Sequence, residues 1–101
     1  MQFDLTTSLR DRAGRPIVDG DRPATLASAI VQALDTVPAD DTKLSGPEKM
    51  RRYRLANRIL SAPAQVTLSL EEAALCKQLV GDGYGPLIVG QVWAVLEPDA
   101  A

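Results

Sequence analysis

Arginine is the residue type this chain concentrates. The stretch from Glu48 to Arg58, "EKMRRYRLANR", holds five basic side chains against one acid, a local net charge of +4 that leaves −6 on the rest of a chain whose formal net charge is −2. A planar guanidinium grips a carboxylate or a phosphate through two parallel N–H bonds, so such a cluster suits docking against an acidic protein surface or a phosphate backbone. At about 100° per residue, Arg51, Arg54 and Arg58 fall within one sector of a helix. Met50, Tyr53, Ala56 and Leu60 fall opposite and are the expected core stripe. Arg51, Arg52, Arg54 and Arg58 are the candidate partner-binding residues. The plain alternative is a solvated face whose arginines pair with Asp35, Asp40 or Asp41. A nucleic-acid interface is the weaker option, because a single basic helix comes with neither an aromatic stacking platform nor helix-turn-helix spacing.

Other chemistry is thin. The chain has no histidine, which removes the commonest general base and metal ligand. Asp40 with Asp41 and Glu71 with Glu72 are sequence neighbours, which do not face each other on a helix, and they suit loop and helix-start roles. Cys76, the single cysteine, falls on the apolar side of a helix with no base to activate it, as a small buried hydrophobe does. No catalytic residue, metal ligand or cofactor site is expected, and the chain is read as a non-enzyme.

A third stretch, "LVGDGYGPLIVGQVWAVL", places glycines at 81, 83, 85 and 90. A phosphate loop needs a strand before it and a Lys-Ser/Thr pair within it, so that backbone amides and a cation meet the anion. Here a helix precedes, Asp82 adds a negative charge, and Pro86 suits the first turn of a new helix. A helix-helix corner is expected, with Gly81 ending the first helix in a left-handed cap.

The elements that must position these groups follow from periodicity. "MQFDLTTSLRDRAGRPIVDGDRP", with turn chemistry from Asp11 to Gly14, is expected to form a β-hairpin whose second arm Pro16 confines to an edge. Leu26, Ala29, Ile30, Ala33, Leu34 and Val37 mark a first helix, capped by Thr25 and stopped by Pro38. Ser45 with Glu48 marks a capping box and a second helix over 46–60. Pro63 breaks that helix, and a short strand over Val66 to Leu68 is placed to pair with the hairpin. Ser69 with Glu72 forms a second box, with Leu68 and Ala73 as a hydrophobic staple, and opens a third helix.

The fourth helix, "PLIVGQVWAVLE", has only Gln91 and Glu97 as surface markers. It is expected at the centre of the fold, with Gly90 under close backbone packing. Leu87, Val89, Val92 and Trp93 are its candidate core or self-association residues. A homo-oligomer is thereby a live option.

The sum is one α+β domain of 101 residues: a hairpin region over 1–22, then a helical region of about four helices over 25–97. A sequence pI near 4.9 argues against a whole surface made for nucleic acid or anionic membrane. A lone cysteine excludes an internal disulfide and fits a reducing cytoplasm. The N-terminal residues lack the apolar core of a signal peptide, and the longest apolar run is about half a bilayer span, so no membrane partner is expected.

The order "FDLTTSLRDRAGRPIVDG", "LSGPEKMRRYRLANRI", "VTLSLEEAALCKQLVG" and "YGPLIVGQVWAVLE" resembles a group of small proteins encoded in tailed bacteriophages and prophages. The resemblance implies a genomic setting and carries over no site residue. It implies an accessory protein that works by binding, either modulating a host protein or serving as a virion assembly factor or small structural subunit. A small nucleic-acid-associated regulator is the third option.

Overall fold

Residues far apart in sequence meet first in an antiparallel ladder. In the computed structural model, which describes residues 2–36, 44–62 and 64–96, strand β1 (Gln2–Asp4) pairs with a later strand over Gln65–Thr67, numbered β4 in chain order, with Phe3 opposite Val66. Phe3 and Val66 are buried and their strand neighbours exposed, the period-2 alternation of a sheet with one wet face. The expected strand near Val66 therefore exists and reaches the N-terminus.

The remaining N-terminal chain is a tight meander. Asp11 builds the first turn: its side-chain Oδ1 accepts from the amides of Ala13 and Arg15, both at 2.9 Å, its carbonyl accepts from Gly14 N at 3.0 Å, and Gly14 takes the left-handed φ of +84°, which glycine adopts without strain. The expected hairpin is altered in one respect. Its arms meet only in a single bridge, Arg10 with Pro16, and the ladder forms one turn later, between β2 (Val18–Asp19) and β3 (Arg22–Pro23) around Gly20. Pro16 has no amide to donate, so the ladder cannot extend through it. Three bonds of 2.8 Å then close a ring, Leu9 N to Ala24 O, Ile17 N to Leu9 O and Ala24 N to Ile17 O.

This meander docks on α1 (Leu26–Asp35) by supplying what a helix start lacks. Leu26 N donates to Thr7 O and Ala27 N to Leu5 O, while Thr25 accepts from Ser28 and Ala29, so each of the first four amides has a partner. Leu26, Ala29, Ile30, Ala33 and Leu34 are buried as their spacing predicts. The continuation to Val37 and Pro38 lies outside the described residues.

Helix α1 is the centre of the bundle, packing on α2 (Gly46–Ser61), α3 (Leu70–Gly83) and α4 (Pro86–Leu96). This corrects the expectation that α4 is central. Only Val92 and Leu96 of α4 are fully buried, and Pro86, Gly90 and Ala94 face outward. Small side chains and proline cost little in water, so an uncharged sequence overstated the burial. Glu97 lies outside the described residues.

The corner between α3 and α4 is present and is built differently from the expected cap. Helix α3 runs through Gly81 to Gly83, and among the described residues only Gly14 and Gly20 have positive φ. Gly81 is small for another reason: a Cβ there would stand 3.2 Å from Cζ2 of Trp93. The close approach assigned to Gly90 belongs instead to Gly81, since a Cβ at Gly90 would meet nothing within 4 Å. Trp93 donates from Nε1 to Lys77 O at 3.1 Å and lies beneath the Lys77 ammonium, 5.6 Å from the ring centroid. Tyr84 ties the corner to α1 by donating to Gln32 Oε1 at 3.0 Å.

Candidate protein-docking face on helix α2

Helix α2 starts at Ser45, whose hydroxyl accepts from Glu48 N at 3.2 Å. Only this half of the expected capping box forms. The Glu48 carboxylate turns to the arginines instead, 3.3 Å from Arg52 Nε and 3.5 Å from Arg51 Nη1. Two cations one turn further on outcompete a single cap amide for it.

The buried stripe of α2 is Leu55, Ala56 and Ile59, not the expected Met50, Tyr53, Ala56 and Leu60, of which only Ala56 is buried. Met50, Tyr53 and Leu60 are 48%, 59% and 62% exposed. The helix carries two apolar stripes about a third of a turn apart that share Ala56, and periodicity cannot say which of them the neighbours cover. Packing on α1 takes the shorter stripe, with Arg52 lying along it: the Arg52 side chain keeps only 13% of its exposure, its apolar stem covering the core's edge.

The four candidate arginines consequently have three different situations. Arg52 is turned inward on Glu48 and lies apart from the basic face. Arg58 is a strut, its Nη2 being 2.6 Å from Glu72 Oε1 and 3.3 Å from Thr67 O, so it joins α2 to β4 and the start of α3. Arg51 is held weakly by Glu48, and the guanidinium of Arg54 has no hydrogen-bond or ion-pair partner among the described residues. Of the acids proposed to pair with these arginines, Asp40 and Asp41 lie outside the described residues. The partners found are Glu48, in the first turn of α2, and Glu72, which also caps α3.

The Glu72 carboxylate serves both the Ser69 amide and Arg58. It completes the capping box of α3 by accepting from Ser69 N at 2.8 Å, while Ser69 Oγ accepts from Glu72 N at 3.1 Å. The Ser69 amide, and after it Arg58, hold its carboxyl below the ordinary glutamate value against an opposing push from burial. The anticipated staple residues Leu68 and Ala73 are both buried beneath this start.

The four candidates on α4 also divide. Val92 is core, Trp93 is half-buried over Gly81, and Leu87 and Val89 are half-buried. Gln91, expected as a surface marker, is a clamp: its Oε1 accepts from Arg10 N at 2.8 Å and its Nε2 donates to Arg10 O at 2.9 Å. A side-chain amide here pairs with a backbone as a neighbouring strand would.

Chemistry elsewhere is sparse. Cys76 is fully buried and its thiol is pushed up to about 11, chiefly by burial. It is a thiol, not a thiolate, at neutral pH. No cluster of three potential metal-binding side chains occurs among the described residues, and none of their helices is long and apolar enough to cross a membrane.

The apolar seam beside the arginines was the part missed by sequence reasoning, although its residues were in view. The signal was the presence of two candidate stripes on one helix. Comparison with protein-family models, curated proteins and solved structures finds no match to this chain.

Proposed function

We propose that this chain is a non-enzymatic protein-binding module that engages an acidic protein surface through the exposed side of α2. Arg51 and Arg54 are the charged contacts, and Arg52 and Arg58 hold the helix in place. The observation that supports this reading is the coincidence, on one helix, of a guanidinium at Arg54 without a partner among the described residues and exposed Met50, Tyr53 and Leu60. Large apolar side chains gathered beside arginine are the composition of an interface core. A phage-encoded accessory protein acting on a host protein in the cytoplasm is the setting that the sequence resemblance implies.

The test is capture from host lysate by the tagged chain, by an Arg51→Glu/Arg54→Glu variant and by a control with Arg12→Glu/Arg22→Glu. The first variant takes residues 48–58 from +4 to zero net charge. Binding lost in the first and kept in the control is the expected result, and equal capture by all three rejects the reading.

A second reading is favoured by one observation, the uncharged outer surface of α4 at Pro86, Gly90 and Ala94. It makes the chain an oligomeric virion subunit or assembly factor. Light scattering across a dilution series decides it: a monomer at every concentration removes it.

A further inference from the structure

Spacing along the exposed side of α2 identifies the kind of protein that fits there. Met50, Tyr53, Asn57 and Leu60 follow one another at intervals of three, four and three residues. That rhythm keeps them on one face over about 15 Å, or some three helical turns, and it is the rhythm with which a second helix meets a first. The three apolar side chains are about half exposed or more. At its C-terminal end the seam opens into an apolar groove, where Leu60 lies with Ile59, Ala62, Ala64 and Thr6. Arg51 and Arg54 stand along one flank.

Each class of occupant makes a different demand. A second copy of α2 on this seam would set two basic helices against each other, net +4 facing +4, and like charges at an interface reject the partner. An extended strand repeats every second residue and cannot follow a three-four spacing. A lipid surface or a nucleic acid satisfies the arginines and leaves the recess beside Leu60 unfilled. A helix with its own apolar stripe, edged by Asp or Glu, satisfies both seam and flank.

We propose that the exposed side of α2 is a docking track for an acidic amphipathic helix of about three turns. Its apolar stripe seats on Met50, Tyr53 and Leu60, its end side chain enters the groove beside Leu60, and its carboxylates face Arg51 and Arg54. This rests on the binding-module reading and specifies the partner's chemistry.

The test uses a labelled synthetic peptide of about 14 residues, with Leu at three-four spacing and Glu and Ala elsewhere. Beside it are run a scrambled isomer of identical composition, phosphatidylglycerol vesicles and duplex DNA. Anisotropy gives affinity, and amide chemical shifts of the full chain give location. The amphipathic peptide is expected to bind at least about tenfold tighter than its isomer, with shifts centred on residues 50–60. Tyr53→Ser/Leu60→Ser and Arg51→Glu/Arg54→Glu should each weaken it by about tenfold or more. All four positions are exposed, so their melting curves should match that of the unaltered chain.

Equal binding of the two isomers overturns the track while leaving a purely electrostatic basic face standing. Binding confined to vesicles or to DNA overturns both. No binding, or shifts centred on α4, overturns the track, and the charge-reversal capture then decides the broader reading on its own.

Discussion

Gly90→Ala is the substitution on which the structure and a plain reading of the sequence disagree in sign. A glycine inside an apolar helix is commonly explained by a neighbouring backbone, and Ala would then be destabilising. In the structure Gly90 is the fifth residue of an eleven-residue helix, it is exposed, its φ is not positive, and an added Cβ meets nothing within 4 Å. What remains is the intrinsic helix penalty, so Ala should stabilise by about 0.8–1 kcal/mol. For a chain of this size that corresponds to a rise in Tm of roughly 4–8 °C per kcal/mol. Gly81→Ala is the internal control. It gains the same propensity, but its Cβ would lie 3.2 Å from Trp93 Cζ2, and the indole is held by its bond to Lys77 O, so the gain is largely offset. Urea unfolding followed by far-ultraviolet dichroism and by the fluorescence of Trp93, the only tryptophan, measures both. Destabilisation by Gly90→Ala at unchanged m-value, or an equal gain from Gly81→Ala, refutes this account of the α3–α4 packing.

Glu72→Gln keeps an acceptor for the Ser69 amide and removes the ion pair with Arg58, so it should cost at most about 1 kcal/mol, whereas Glu72→Ala loses the capping box as well and should cost roughly 1–2 kcal/mol. Because the folded carboxyl is held below its ordinary value, the stabilisation is fully present above the ordinary glutamate range and is lost as pH falls through the lower folded value; urea midpoints from pH 6 downward should fall faster for the unaltered chain than for Glu72→Gln. Gln91→Ala removes both bonds to the Arg10 backbone and should cost about 1–2 kcal/mol, with amide exchange rising first across residues 9–16. Arg54→Ala should leave the melting temperature unchanged, while Arg58→Ala lowers it measurably, since only Arg58 bonds to neighbouring elements.

Where local chemistry decides, the chain was legible. The caps at Thr25 and Ser69 and the Asp11 turn rest on contacts within a few residues, α1 offers a single apolar stripe to bury, and the structure has all of them. Legibility ended where two local answers were equally good and a distant neighbour chose between them. On α2, α1 covers Leu55, Ala56 and Ile59 and leaves Met50, Tyr53 and Leu60 outside, which reverses the expected stripe. On α4, nothing in an uncharged helix marks the side that faces α3, so the close approach expected at Gly90 falls at Gly81 instead. The clamp at Gln91 spans 81 residues and has no sequence signature. The candidate face was half legible: the arginine row is in the sequence, and its division into an inward residue, a strut and two exposed side chains is a product of packing.

The claim that matters most is that the outward side of α2 binds protein. Amide hydrogen exchange of the full chain, alone and bound to the protein it captures, tests that directly. The account expects added protection over residues 50–60 and in the groove at Ala62, Ala64 and Val66, with α4 unchanged. Protection at α4 without any at α2 would contradict it.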